Sequence, residues 1–199
     1  MYTFIKILLY IPFKLLLPTR VYGKSNIDKK GKLIIVCNHQ SLFDVLLIMM
    51  SVRRKVYFVG KKELFKNKFL AWVFRSMGVI KINREATDVN TIKSILKVLK
   101  EECILGIFPE GTRNRTLPEG ELQPFKEGVS LFAVKTDSPI VPIYIAKKSK
   151  IFRLNKMYIG KSFKLEKDKK ENANLPLQTE FIRNKIIELK IQSTNNFRK

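Results

Sequence analysis

Apolar positions along this chain follow two alternating rhythms. Short apolar, β-branched runs recur at Lys32–Cys37, Val56–Val59, Gly78–Arg84, Cys103–Phe108 and Pro139–Ile145. Each reads as a buried strand. Between them lie stretches of helical period. Thr87–Glu102 is the clearest: Val89, Ile92, Ile95, Leu96 and Leu99 repeat at helical spacing with lysines opposite. Asp44–Met50, Phe69–Met77, Val129–Thr136 and Thr179–Ile191 read as further helices, the last with Thr179 as its cap and Phe181, Ile182, Ile186 and Leu189 as its apolar face. Met157–Phe163 reads as a late strand. Strands alternating with helices in this way predict an α/β fold, a single sheet of mostly parallel strands flanked by helices.

The N-terminus breaks the rhythm. Phe4–Leu17 is apolar on nearly all sides, interrupted by Lys6 and Lys14. As a helix it measures about 21 Å, short of the ~30 Å hydrocarbon core of a bilayer. Pro12 kinks or divides such a helix. No basic segment precedes the run and no small-residue cleavage site follows it, which reads against a secretory signal. The expectation is an interfacial helical segment over residues 1–22, with its lysines and Arg20 reaching headgroups, followed by an α/β domain over 23–199. The alternative is a helix packed on the domain's own core. Removing residues 1–20 is expected to release the protein from membranes with the fold intact.

Composition narrows the partners. A 199-residue chain with 45% apolar residues can bury one sizeable core. Lys plus Arg number 39 against 17 Asp plus Glu, a formal net charge of +22, and residues 147–199 carry +10 of it. Such a field attracts polyanions: an anionic membrane, an acidic protein or nucleic acid. For nucleic acid, the aromatic, zinc-finger and basic-helix signatures are missing, and none is expected as a partner. Cys37 and Cys103 lie in strand-like runs and read as small buried hydrophobes, consistent with a reducing cytosol. Two cysteines and the chain's one histidine make a poor zinc set, so no metal is expected.

Candidate chemistry centres on Asn38-His39-Gln40-Ser41-Leu42-Phe43-Asp44, after the first strand run. Loops at strand ends are where open α/β sheets place ligand clefts. Five residues of helix turn through about 500°, so His39 and Asp44 meet only if His39 lies outside the helix. Ser41 is a good N-cap, and Ser41-x-x-Asp44 resembles a capping box that turns the carboxylate back towards the helix start. There it can orient an imidazole that takes a proton from a substrate. The same residues also fit a second reading, a plain helix cap beside a polar loop histidine. A second loop, Pro109-Glu110-Gly111-Thr112-Arg113-Asn114-Arg115, follows another strand run, and its guanidinium groups suit phosphate oxygens.

Together these stretches resemble the glycerolipid acyltransferase family, which includes 1-acyl-glycerol-3-phosphate acyltransferase. His39-x₄-Asp44 resembles its H-x₄-D block, Gly78-Val79-Ile80-x-x-x-Arg84 the second block, Phe108-Pro109-Glu110-Gly111-Thr112-Arg113 the third and Val141-Pro142-Ile143 the fourth. Lys61-x-Glu63-Leu64 and Phe125-Lys126-x-Gly128 also resemble family segments. The likeness runs from about residue 31 to 165. Two departures bear on substrate detail: Asn114 replaces a frequent serine, and Asn67–Ala71 lacks the usual proline and glycine.

The resemblance implies acyl transfer from a thioester, carried by acyl carrier protein or coenzyme A, to the free hydroxyl of a membrane lysophospholipid, with no bound cofactor. It implies His39 as general base held by Asp44. Arg113, Arg84, Lys61 and Lys126 are the candidates for the acceptor phosphate, and Glu110, Gly111 and Thr112 belong to the acceptor site. Glu110 would bond a glycerol hydroxyl or fix Arg113. Another lysolipid or glycerol-3-phosphate is the alternative acceptor, and a basic nucleic-acid- or membrane-binding protein the non-enzymatic one. A covalent acyl-enzyme on Ser41 or Cys37 is the rival mechanism. The implied location is the cytoplasmic face of a membrane, peripheral or monotopic.

Overall fold

The computed structural model describes residues 2–61, 65–82, 89–166 and 174–195. A helix, α1 (Tyr2–Leu16), leads into strand β1 (Thr19–Tyr22). Then come β2 (Leu33–Cys37), α2 (Phe43–Ser51), β3 (Val56–Lys61), α3 (Lys68–Ser76), β4 (Val79–Ile82), α4 (Val89–Lys100) and β5 (Ile104–Ile107). The chain continues through α5 (Gly128–Thr136), β6 (Ile140–Ile145), β7 (Asn155–Ile159) and α6 (Leu175–Asn195). The strands form one seven-stranded sheet in the order β1-β7-β6-β2-β5-β3-β4. From β6 to β4 all neighbours are parallel; β7 runs antiparallel to β6, and β1 parallel to β7.

β2, at the middle of the sheet, is buried at every position. A strand covered on both faces must be apolar throughout, which is why Leu33-Ile34-Ile35-Val36-Cys37 shows no polar alternation. Leu33, Ile35 and Cys37 face a core that includes Leu47, Ile48 and Met49 of α2 and Leu17 just beyond α1. Ile34 and Val36 face the opposite core, with Ile95, Val98 and Leu99 of α4, Val129 and Ala133 of α5, and Ile182 and Ile186 of α6. Each such side chain contributes roughly 1.5–3 kcal/mol when fully buried. β2, β5 and β6 therefore end side by side, and their carboxyl ends open on one edge of a rigid sheet.

Pro142 stands inside β6 beside β2. Its carbonyl accepts the Gly160 N–H at 2.9 Å, just past the last β6–β7 rung at Ile143–Ile159. Its missing N–H therefore falls where the β7 ladder has ended, the position a sheet tolerates.

Several expectations shift in detail. Thr19–Tyr22, assigned with the N-terminal segment on the sequence, are a strand paired with β7, and Leu17 is buried. Removing residues 1–20 would thus cut into the sheet, because Thr19 and Arg20 pair with Asn155 and Lys156 of β7. α1 runs through Pro12 as one helix. α6 starts four residues before the expected cap, its Pro176 falling in the first turn, where the lost N–H has no helical partner. Thr179 is then a buried helix residue whose hydroxyl meets that of Ser130 at 2.6 Å. Phe181 is exposed and meets Phe163 edge-on instead of filling the core. In α4 the buried residues are Ile95, Val98 and Leu99, with Val89 exposed.

Candidate active site

The strand β2 ends at Cys37, and the next seven residues build the site. Asn38 continues the sheet by side chain: its Oδ1 accepts the Ile145 N–H at 2.8 Å and its Nδ2 donates to the Ile145 carbonyl at 3.0 Å. That amide acts as an extra rung between β2 and β6 and fixes where His39 leaves the sheet.

His39 Nδ1 lies 3.1 Å from Asp44 Oδ2. The same oxygen accepts the Gln40 and Ser41 backbone N–H groups, each at 2.7 Å, and Oδ1 accepts the Ser149 hydroxyl at 2.6 Å. Asp44 is fully buried, and His39 keeps only 15% of its side-chain surface exposed. Donors converge on both carboxylate oxygens, so the carboxylate acts as acceptor and Nδ1 carries the imidazole proton. Nε2 then holds a lone pair and can accept a proton.

The helix starts at Phe43, so Leu42 stands at its N-cap in place of the expected Ser41 and makes no side-chain cap bond. Ser41 still serves its entry, since Oγ accepts the Phe43 N–H at 3.3 Å while its own proton goes to the Ser149 carbonyl at 3.0 Å. The bond from Ser41 N–H to Asp44 lies one residue before the N-cap, so the expected capping box is replaced by a carboxylate that ties down the turn ahead of the helix. The same carboxylate orients the histidine.

The second loop grows from β5. Phe108 stacks on His39 with ring centroids 4.0 Å apart, and Phe58 stacks on Phe108 at 5.5 Å. Glu110 is buried: Oε1 accepts the His39 N–H at 2.8 Å and Oε2 the Gln123 N–H at 3.2 Å. The His39 carbonyl accepts the Asn114 N–H at 2.7 Å. His39 is thus clamped through its backbone on both sides by the 108–114 loop.

Lys126 joins the same loop. Its N–H bonds the Pro109 carbonyl at 2.9 Å, and its side chain crosses Gly111 so closely that a Cβ there would lie 2.8 Å from Lys126 Cε. Gly111 also holds a φ of +72°, which favours glycine. Thr112 is exposed and Arg113 half-buried beside it. Glu110, Gly111, Thr112, Arg113 and Lys126 are therefore brought together next to His39. Lys61 ends β3, on the same sheet edge. Arg84 lies outside the described residues.

Residues 18–146 match the family model described as Acyltransferase. The chain belongs to the acyltransferase family. It is 32% identical over 124 residues to a 1-acyl-sn-glycerol-3-phosphate acyltransferase of Bacillus subtilis (strain 168), covering 62% of this chain and 60% of that protein. It is 34% identical over 137 residues to a protein of the same name from Borreliella burgdorferi, covering 68% and 54%. The chain thus spans little more than half the length of these relatives. Among solved structures it resembles the 1-acyl-sn-glycerophosphate (LPA) acyltransferase PlsC from Thermotoga maritima, with a TM-score of 0.73 and 27% identity. That likeness covers 95% of this chain and 79% of the other.

Within this acyltransferase fold some site residues carried no sequence signal. Ser149 lies 105 positions from Asp44 in an unremarked lysine-rich loop. Gln123 gives Glu110 its backbone N–H and meets Thr112 and Asn114 through its side chain. Gly106 could have been suspected as the lone glycine of an apolar strand. A Cβ on it would lie 2.3 Å from Phe58 Cε1, so its absence seats the ring on which Phe108 and then His39 stack. Gly106→Ala is expected to cost about 1–3 kcal/mol by overpacking. It should lower turnover about tenfold or more by displacing the histidine. Thermal melts and acyl-transfer rates check the two effects.

Burial raises the pKa of Glu110 above the ordinary carboxylate value. The two N–H bonds pull it down, Asp44 adds to the rise, and Arg183 of α6 eases it. A carboxyl with a raised folded-state pKa contributes stability that is fully present below the unfolded value and is lost as pH rises through the folded value. Wild type is therefore expected to lose stability relative to Glu110→Gln as pH climbs from the ordinary carboxylate range towards neutrality. Melting temperatures of both proteins across that range give the slope.

Proposed function

We propose that this protein moves a fatty acyl group from a thioester to the free hydroxyl of 1-acyl-glycerol-3-phosphate, forming phosphatidic acid. The observation that carries the reading is the His39–Asp44 pair at the carboxyl edge of the sheet, clamped by the loop that bears Glu110 and Arg113. The activity for which these relatives are named supports the substrate class.

The acceptor hydroxyl approaches Nε2 of His39. As its oxygen attacks the thioester carbonyl, the proton passes to Nε2 and the imidazolium forms against the Asp44 carboxylate. General-base assistance of this kind is typically worth ~10²–10⁴-fold. Collapse of the tetrahedral intermediate expels the thiolate, which takes the proton back from Nε2. Arg113 and Lys126 hold the acceptor phosphate, with Lys61 and Arg84 supplying further charge. Glu110 braces the backbone of His39 through its N–H. The donor is acyl-coenzyme A or acyl-acyl carrier protein.

A direct transfer fits the surroundings of the two rival nucleophiles. Cys37 is fully buried, and burial, then the charges of Asp44 and Glu110, raise its thiol pKa. Ser41 is buried with its proton committed to the Ser149 carbonyl. Neither is presented to a thioester.

The reading places the enzyme peripherally on a membrane, held by α1 and its basic surface. No described helix is long and apolar enough to cross a membrane. The deciding experiment is transfer of a radiolabelled acyl chain from each donor to lysophosphatidate, glycerol-3-phosphate and other lysolipids. Phosphatidic acid should be the main product. Strong preference for another acceptor would replace the substrate, and no transfer to any would end the reading.

A further inference from the structure

α1 packs one side on the domain, and that side carries Lys6 and Phe13. Lys6 sends its ammonium to the carbonyls of Val52 and Arg53, while Phe13 and the following Leu17 pack on the core. Ile7, Leu8, Ile11, Leu15 and Leu16 are exposed. This apolar face does not stop at the helix. The loop between β6 and β7 exposes Ile151, Phe152 and Leu154, and Phe152, 79% exposed, is the most exposed of the large hydrophobic side chains described. Its N–H bonds the Leu16 carbonyl at 2.7 Å, an acceptor left open by the end of α1. The tip of the loop and the last turn of the helix are therefore joined.

The loop is braced to hold that shape. Buried Asn155 accepts the Lys150 N–H at 3.2 Å and donates to the Arg153 carbonyl at 2.9 Å. Its own N–H bonds the Pro18 carbonyl at 2.8 Å. Phe152 has a φ of +57°, a conformation that large side chains rarely adopt, yet it faces solvent rather than the core. Exposed Lys147, Lys148 and Lys150 lie in the same loop, and exposed Lys14 lies in the last turn of α1. An apolar wedge flanked by lysines matches the two layers of an anionic bilayer: acyl chains for Phe152 and Leu154, headgroup charge for the lysines.

We infer that the loop between β6 and β7 is a second lipid-docking element, continuous with α1, which seats the active site on an anionic bilayer. The same loop carries Ser149, whose hydroxyl bonds Asp44 and whose carbonyl bonds Ser41. The docked loop is thus one hydrogen bond from the carboxylate that orients His39. This part rests on the acyltransferase reading above; the docking itself does not.

The test uses the full chain and vesicles of phosphatidylglycerol and phosphatidylcholine. In about 1 M salt the Debye length is ~3 Å, so surface charge is screened and the remaining binding reports apolar insertion. Phe152→Glu is expected to lower that binding at least about tenfold. Leu177→Glu, which makes the same kind of change at an exposed site on α6, should leave it unchanged. Equal binding by Phe152→Glu and wild type, or equal loss in both variants, overturns the inference. So does a wild-type dimer in lipid-free solution that Phe152→Glu disperses without changing vesicle binding, which would make the patch a contact between copies.

A second measurement covers a folding defect. With Trp72→Phe and Phe152→Trp, the one indole sits at the loop tip. Its emission should shift to the blue on vesicles and be quenched by brominated acyl chains; absence of both overturns docking. Turnover separates the two readings. Phe152→Glu should slow transfer to a membrane-borne acceptor and spare transfer to a short-chain acceptor below its micelle concentration. No transfer to either acceptor by wild type would sink the acyltransferase reading and leave the vesicle result standing.

Discussion

His39→Ala is expected to lower acyl-transfer turnover at least about a hundredfold, within the ~10²–10⁴ range of general-base assistance. The chain contains no other histidine to substitute. The fold should survive. The backbone clamp on residue 39, from its N–H to Glu110 and from Asn114 to its carbonyl, needs no side chain. Losing the ring removes its stacking on Phe108, worth about 0.5–1.5 kcal/mol, and one of four hydrogen bonds to Asp44. The melting temperature should therefore fall by only a few degrees while the rate collapses. Acyl transfer and a thermal melt on the same preparation check both, and wild-type-like turnover would remove His39 from the chemistry.

Asp44 should behave differently, because it serves the fold and the chemistry together. Asp44→Ala strips the acceptor from two backbone N–H groups and the Ser149 hydroxyl, in a place where water does not reach. Each buried donor left unpaired costs about 1–3 kcal/mol, so the loss approaches the whole stability of an ordinary domain. Asp44→Asn is milder. Its amide oxygen can stay with His39, Gln40 and Ser41 while its NH₂ donates to Ser149 Oγ, which can accept as well as donate. That variant should fold, yet it lacks the negative charge that balances an imidazolium. Turnover is expected to drop about a hundredfold or more with a small change in melting temperature. Chemical denaturation of both variants, with transfer rates for the asparagine protein, would separate the two roles. An asparagine variant of undiminished rate would confine Asp44 to tying down the turn.

Most of the sheet was legible because buried parallel strands are apolar throughout and the helices between them keep their period. Leu33–Cys37, Ile104–Ile107 and Ile140–Ile145 fall inside the strands expected for them. Thr19–Tyr22 was not legible: an edge strand of four residues, exposed at alternate positions, has too little apolar signal. The reversed direction of β7 was also hidden, since direction depends on how a loop returns and not on the residues within the strand.

The site divides in the same way. His39 and Asp44 are five residues apart on a strand–loop–helix turn, so local chain geometry makes their meeting possible, and the 3.1 Å contact decides it over a plain cap beside a polar loop histidine. The sequence by itself determined the neighbouring loop of Glu110, Gly111, Thr112 and Arg113, because those residue types are contiguous. Only tertiary structure decided what each side chain does there. Glu110 bonds the backbone N–H groups of His39 and Gln123, one through each oxygen. Ser149 reaches Asp44 from 105 residues away. Gly106 shapes the stack under His39 by what it lacks. Such contacts join segments distant in the chain, and their energies depend on burial and direction, which no run of neighbouring letters encodes.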